Sequence, residues 1–259
     1  MAKAWIGVSG WTFPGWKKVF YPKELPIRRE LEYASRALNS IEINGTFYSL
    51  QKPETFQKWY NQTPADFIFS VKAPQYITHI CRLKEIEKPL AKFLASGLFC
   101  LREKLGPILW QFPPNVKLKD DRFEKFLSLL PHTSRHAFEF RHPSFAHPDF
   151  LALLKEHNVA FVIAHAGGEK APYVEDLTSK NFVYVRLHGE GKEYKKGYTP
   201  LMIKKWAEKV KGWMTKSSKR DVFIYFSNDA KVYAPASAIN LLKILKITRE
   251  QEFEQEEAA

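Results

Sequence analysis

Eight short apolar runs pace this chain, and most of them end in a charged, amide or imidazole side chain. They are Trp5–Ser9, Ser40–Ile43, Phe67–Lys72, Pro107–Gln111, His136–Phe140, Ala160–Ala164, Phe182–His188 and Val222–Phe226. Helix-like stretches or long loops separate them. Strands that alternate with helical patterns predict parallel pairing, and eight such units predict a closed (β/α)8 barrel of TIM type. Such a barrel carries its reactive groups at the carboxyl ends of its strands, which is where the polar residues of these runs fall.

The chain of 259 residues fits one barrel, and no Gly/Ser-rich or Pro-rich linker divides it. The expected organisation is a single domain over 1–248 and an acidic, disordered tail over 249–259. No apolar run approaches the roughly 18 residues of a membrane span. The opening enters a strand at once and leaves no room for a signal peptide, so a cytoplasmic, membrane-free chain is expected. Cys81 and Cys100 form no CxxC pair, which fits a reduced compartment. Cys100 falls in an apolar helical stretch and reads as a core filler.

Strand alternation decides which side chains enter the lumen. Glu42 and Asn44 share one face of the second run, with Ile41 and Ile43 on the other. Glu139 and Arg141 share a face of the fifth; Tyr184, Arg186 and His188 share a face of the seventh. Charges inside a barrel are costly unless paired or used. The predicted mouth gathers Glu42, Lys72, Gln111, Glu139, Arg141, His165, Arg186, His188 and Asn228 from seven strands. The competing reading is an ion network without chemistry, in which Glu42 and Glu139 neutralise Arg141 and Arg186.

The helices read less evenly. Leu31, Ala34 and Leu38 give a helical period over Ile27–Leu38, and Pro53–Tyr60 begins with a proline suited to a first turn. Glu87–Leu105 reads as one long helix closed by Gly106. Asp121 is placed to cap Arg122–Leu130. His147–His157, Pro200–Met214 and Ala234–Leu245 complete the set, and the stretch 167–180 has no helix signal. His132, His136, His147 and His157 read as surface or packing residues.

Several motifs are together specific to one family. They are Gly7-Val8-Ser9-Gly10-Trp11, Phe20-Tyr21-Pro22, and Glu42-Ile43-Asn44-Gly45-Thr46-Phe47-Tyr48. Trp59 with Thr63-Pro64, Phe69–Lys72, Leu109–Pro114 and Glu139-Phe140-Arg141-His142-Pro143-Ser144-Phe145 follow. Tyr184–Gly189 with Tyr194 and Tyr198, and Tyr225-Phe226-Ser227-Asn228, complete the series. In this order they resemble the YecE family, a domain of unknown function, over nearly the whole chain. The resemblance implies a TIM-type barrel and leaves the reaction open. Phe145 stands where that family usually has Trp, and Ser227 where it often has Asn. The loss of an amide at 227 lowers the weight of Ser227 as a site residue.

The net charge of +12 favours anionic partners. Between Arg186 and Arg220 eleven Lys/Arg face three Glu, a run that also serves solubility. Arg141 and Arg186 are forks suited to phosphate or carboxylate, and Lys72 adds a point charge. Trp11, Phe47, Tyr48 and Phe145 follow strand ends and suit stacking on a base or sugar. Glu139 or Glu42 suits a general base, and His188 or His142 an acid or base near neutral pH. No P-loop, GxGxxG or GxSxG is present; Gly167–Gly168 alone hints at a close phosphate approach. A divalent metal is not favoured, because no HxH or HExxH occurs and the arginines would repel it.

The resulting expectation is a hydrolase or lyase acting on a phosphorylated or nucleic-acid substrate. Its catalytic residues are Glu139, His188 and Glu42. Arg141, Arg186, Lys72, Asn44, Trp11, Tyr48, Gln111, His142, His165 and Asn228 bind substrate. The alternative is a non-catalytic binding protein for nucleic acid or another polyanion.

Overall fold

In a computed structural model, residues 1–119, 121–166, 172–189, 197–215, 219–227 and 230–248 are described. The apolar runs become β1 (Ala4–Ser9), β2 (Ser40–Ile43), β3 (Ile68–Lys72), β4 (Leu105–Gln111), β5 (His136–Glu139), β6 (Ala160–Phe161), β7 (Ile163–Ala166), β8 (Phe182–Gly189) and β9 (Asp221–Phe226). All pair in parallel in the order β6-β5-β4-β3-β2-β1-β9-β8-β7. β6 and β7 are the sixth run broken at one residue, Val162. Its first half pairs with β5 and its second with β8, and the Val162 amide still donates to Phe138 O at 2.9 Å. The sheet thus rolls into a nearly closed barrel of TIM type, the class expected from eight strand signals.

The helices are α1 (Glu30–Ala37), α2 (Gly45–Tyr48), α3 (Pro53–Asn61), α4 (Glu87–Leu94), α5 (Arg122–Leu129), α6 (Pro148–Glu156), α7 (Pro200–Thr215) and α8 (Tyr233–Ile244). The strand period of two sorts the apolar residues into two cores. The larger lies between barrel and helices and includes Ile41, Ile43, Val71, Trp110, Phe138 and Val185. The smaller fills the lumen with Leu109, Ala137, Val162, Ala164, Phe182, Tyr184, Phe223 and Tyr225. The lumen is therefore a packed plug that lifts the polar residues to its upper end.

The long helix expected over 87–105 is two pieces. α4 ends at Leu94, and a 3-10 segment runs over Leu98–Lys104. Gly97 makes the break at φ +101, where a Cβ would lie 2.5 Å from Pro53 Cα. A side chain at 97 would collide with the start of α3, so the apolar period continues across a turn that periodicity alone cannot see. Gly106 lies inside β4 and caps nothing. Asp121 precedes α5 as expected, but makes no side-chain cap bond. Cys100 is half-buried against the core. The short helix α2 and the π-turn Tyr76–Ile80 follow β2 and β3 without a sequence signal that announced them.

His136 is a packing residue, as expected. Trp110 Nε1 donates to its Nδ1 at 3.1 Å, and its Nε2 faces Pro131 O at 3.1 Å. Burial pushes its pKa down to about 4. The unfolded imidazole, with a pKa near ~6.5, binds a proton first as pH falls, so this site's contribution is present above that value and lost on acidification. Urea denaturation should show about 2–3 kcal/mol less stability at pH 4.5 than at pH 7 from this residue. The His136→Gln variant should lose that part of the pH dependence; an unchanged dependence contradicts the assignment.

Candidate functional site

At the carboxyl end of the strands, alternation brings Ser9, Glu42, Lys72, Gln111 and Arg186 together, with Arg141 and His188 around a cavity of about 300 Å3. Phe13, Trp16 and Phe226 supply apolar wall, and Asn44 and Ser227 complete the polar lining. The residues that carry charge here come from β2, β3, β5 and β8 and from Arg141 just beyond β5. A larger depression of about 640 Å3 opens at the opposite end, between Trp5, Arg135, Asp221 and Phe223. Its Arg135–Asp221 pair is partly exposed at 3.0 Å, and barrel chemistry resides at the other end.

Arg186 is the keystone. Its Nη2 donates to Glu42 Oε1 at 2.8 Å and its Nη1 to Glu139 Oε2 at 2.5 Å. Both carboxylates are fully buried and the arginine is 4 % exposed, so all three charges are resolved internally. Glu42 also accepts from Ser9 Oγ at 2.8 Å and from Tyr184 OH at 2.7 Å. Below it, Ser70 bonds Tyr184 OH at 2.7 Å and Ser40 bonds Tyr225 OH at 2.8 Å. This polar layer spares the carboxylate an unpaired burial.

Glu139 accepts a second guanidinium, Arg141 Nη2 at 2.7 Å. Burial alone would raise the Glu139 pKa, but Arg186 and then Arg141 hold it well below the usual carboxylate range. Burial lowers the His188 pKa, and Glu139 only partly offsets this. The imidazole is therefore neutral at pH 7. Its Nδ1 is 2.8 Å from Ser227 Oγ; its Nε2 is 3.3 Å from both Glu139 Oε1 and Arg141 Nη2. With the proton on Nε2, it donates to Glu139 and Nδ1 accepts from the serine. With the proton on Nδ1, it donates to Ser227 and Nε2 accepts from Arg141. Both tautomers are satisfied, which suits a group that passes protons.

Lys72 has a different environment. It is buried, and its Nζ lies 3.9 Å from the Phe47 ring centroid. Burial first, and Arg186 next, lower its pKa to about 8. Three further polar atoms, Asn44 Oδ1, Arg141 Nε and Arg186 Nε, are buried with no hydrogen-bond partner among the described residues.

Four expected binding residues stand elsewhere. His165 is on the outer face of β7, because Ala164 takes the lumen position. Its Nδ1 is 2.9 Å from Tyr198 OH and its ring stands 5.8 Å from Trp206 of α7. Trp11 follows Gly10, whose φ of +83 turns the chain, and packs edge-to-face on Trp59 of α3 at 5.3 Å. Tyr48 is 74 % exposed at the end of α2, outside the cavity lining. His142 is spent on the turn after β5, where its Nδ1 accepts from the Ser144 amide at 3.1 Å. Phe145, expected as an aromatic wall, is fully buried and stacks on Phe140 at 3.9 Å. Asn228 and Gly167–Gly168 lie outside the described residues, as does the tail.

Ser9 and Ser227 were missed or underweighted. Both lie two residues beyond a lumen-facing position, Gly7 and Tyr225, so continued alternation was the signal that could have found them. Among the described residues, no group of three or more His, Cys, Asp or Glu is arranged to hold a metal ion. No described helix is long and apolar enough to cross a membrane.

Known proteins resemble this chain in sequence or in fold. UPF0759 protein YunF of Bacillus subtilis is 26 % identical over 277 residues, covering 94 % of this chain and 95 % of its own. UPF0759 protein YecE of Escherichia coli is 32 % identical over 142 residues, covering 54 % of this chain and 49 % of its own. The crystal structure of a DUF72 family protein from Thermotoga maritima superimposes with a TM-score of 0.84 at 25 % identity, covering 94 % of this chain and 99 % of that one. One from Enterococcus faecalis shares the fold, with a TM-score of 0.82 at 20 % identity over 97 % and 99 %. The model of the family described as "Protein of unknown function DUF72" matches residues 5–259. The motif resemblance and the barrel thus lead to one assignment: the chain belongs to the DUF72 family.

Proposed function

We propose that this barrel is an enzyme, a hydrolase or lyase, acting on a small phosphate-bearing substrate at the carboxyl end of its strands. The carrying observation is His188, held between Glu139 and Ser227 at the edge of the cavity and neutral at pH 7. It is the group placed to take or give a proton. Glu139 orients it and would stabilise its charged form. Arg186 is neutralised by two carboxylates, which makes it a structural clamp. The anion falls instead to Arg141, which lines the same cavity and pairs with one carboxylate, Glu139, that it shares with Arg186.

The cavity volume of about 300 Å3 favours a small ligand over a polynucleotide strand. The test is incubation with a panel of small phosphate esters and phosphorylated sugars, followed by phosphorus NMR. At least one compound should be converted, and Arg141→Ala should raise its KM. Absence of conversion, with polynucleotide binding that weakens steeply as salt rises, would support the non-catalytic alternative.

A further inference from the structure

We infer that Lys72 is the nucleophile of this mouth, adding its amine to the carbonyl carbon of a small anionic aldehyde or ketone to form a Schiff base. This deepens the proposed function and rests on it, and it narrows the reaction to a lyase. Lys72 ends β3 and lines the cavity with Arg141, Arg186 and His188. Its carbonyl oxygen accepts from Thr46 Oγ1 at 2.7 Å, which fixes the backbone beneath it.

The two mouth carboxylates are committed to other groups. Glu42 holds Arg186, Ser9 and Tyr184; Glu139 holds Arg186, Arg141 and His188. Among the described residues none accepts a hydrogen bond from Lys72 Nζ, whose neighbour is the face of Phe47. A lysine kept only to hold an anion has no need of this setting. A desolvated amine beside another cation is what amine nucleophiles require. With a pKa of about 8, on the order of a tenth of the amine is neutral at pH 7, against well under a thousandth for a free lysine.

The nitrogen lone pair forms the C–N bond as the carbonyl π pair moves to oxygen. The oxygen takes up a proton and the nitrogen gives one up, leaving a carbinolamine. Its hydroxyl departs with a second proton as water, and the C=N bond forms. The protonated imine then accepts the electron pair of the Cα–Cβ bond and becomes an enamine, while the hydroxyl on the β-carbon loses its proton and that fragment departs as a carbonyl compound. Protonation of the enamine carbon and addition of water to the imine release the second product and return the free amine. His188 lines the same cavity and is the group placed to exchange these protons.

The test uses glyoxylate as the anionic aldehyde and sodium cyanoborohydride as the trap, with peptide mass mapping of the full chain. At pH 7 Lys72 should be carboxymethylated about tenfold or more faster than the exposed Lys52 and Lys88. The rate should have a midpoint near pH 8, inorganic phosphate should slow it at Lys72 alone, and Lys72→Arg should remove this label from a folded protein. Labelling of Lys72 no faster than that of Lys52 and Lys88 overturns the inference. If calorimetry with inorganic phosphate then still shows saturable binding dependent on Arg141, only the nucleophile falls. If that binding is also missing, the anionic-substrate reading falls with it.

Discussion

Replacing Arg186 with methionine should cost about 3–5 kcal/mol of folding stability, the largest loss expected from any single change in the mouth. The guanidinium is 4 % exposed and contacts two fully buried carboxylates at 2.8 and 2.5 Å. Removing it leaves Glu139 with Arg141, but among the described residues leaves Glu42 hydrogen-bonded only to the Ser9 and Tyr184 hydroxyls. An ionised carboxylate with no directly bonded cation in that place is expensive. Domains of ordinary stability have only about 5–15 kcal/mol in reserve, so much of the margin would be lost.

The double variant separates this account from a mere packing defect. Arg186→Met with Glu42→Gln should recover part of the loss at pH 7, because it removes the carboxylate that has lost its guanidinium. Urea denaturation checks both; a loss below about 1 kcal/mol in the single variant, or no recovery in the double one, contradicts the clamp.

The second large effect concerns turnover. On any converted compound of the phosphate-ester panel, His188→Ala and His188→Gln should lower kcat by about 10²–10⁴-fold. The glutamine variant keeps hydrogen-bonding capacity toward Ser227 and Glu139 but cannot carry the proton, so its loss reads chemistry and not shape. Glu139→Gln tests positioning. The carboxylate raises the His188 pKa against burial, so its removal should move the acid limb of kcat to lower pH. Unchanged kcat in both His188 variants would remove this residue from the chemistry, and an unshifted acid limb would remove Glu139 from its support.

Much of this was legible in the chain, for a physical reason. A barrel strand has a strict period of two and one buried polar end, so Glu42, Glu139, Arg186 and His188 could be placed on the lumen face from sequence alone. The break at Val162 gave no warning, because pairing passes from β5 to β8 without any change in apolar character. His165 is a separate case: the period of two continues through Val162 and Ala164, both in the lumen, and so turns His165 outward onto α7. Trp11, Tyr48 and His142 failed differently. They follow strand ends, where direction is set by turns such as the one at Gly10 and not by a period. The helix expected over 87–105 failed at Gly97, whose close approach to Pro53 is a tertiary fact. Lys72 could be named as a cation, but that no described carboxylate pairs with it directly depends on how Glu42 and Glu139 are shared.

The most direct measurement is a high-resolution crystal structure of the protein soaked with inorganic phosphate. The account predicts phosphate in the cavity bounded by Arg141, Lys72 and His188, with Arg186 still clamped between Glu42 and Glu139. Phosphate confined to the outer surface while this cavity stays without it, or an Arg186 that leaves its carboxylates to bind the anion, would contradict it.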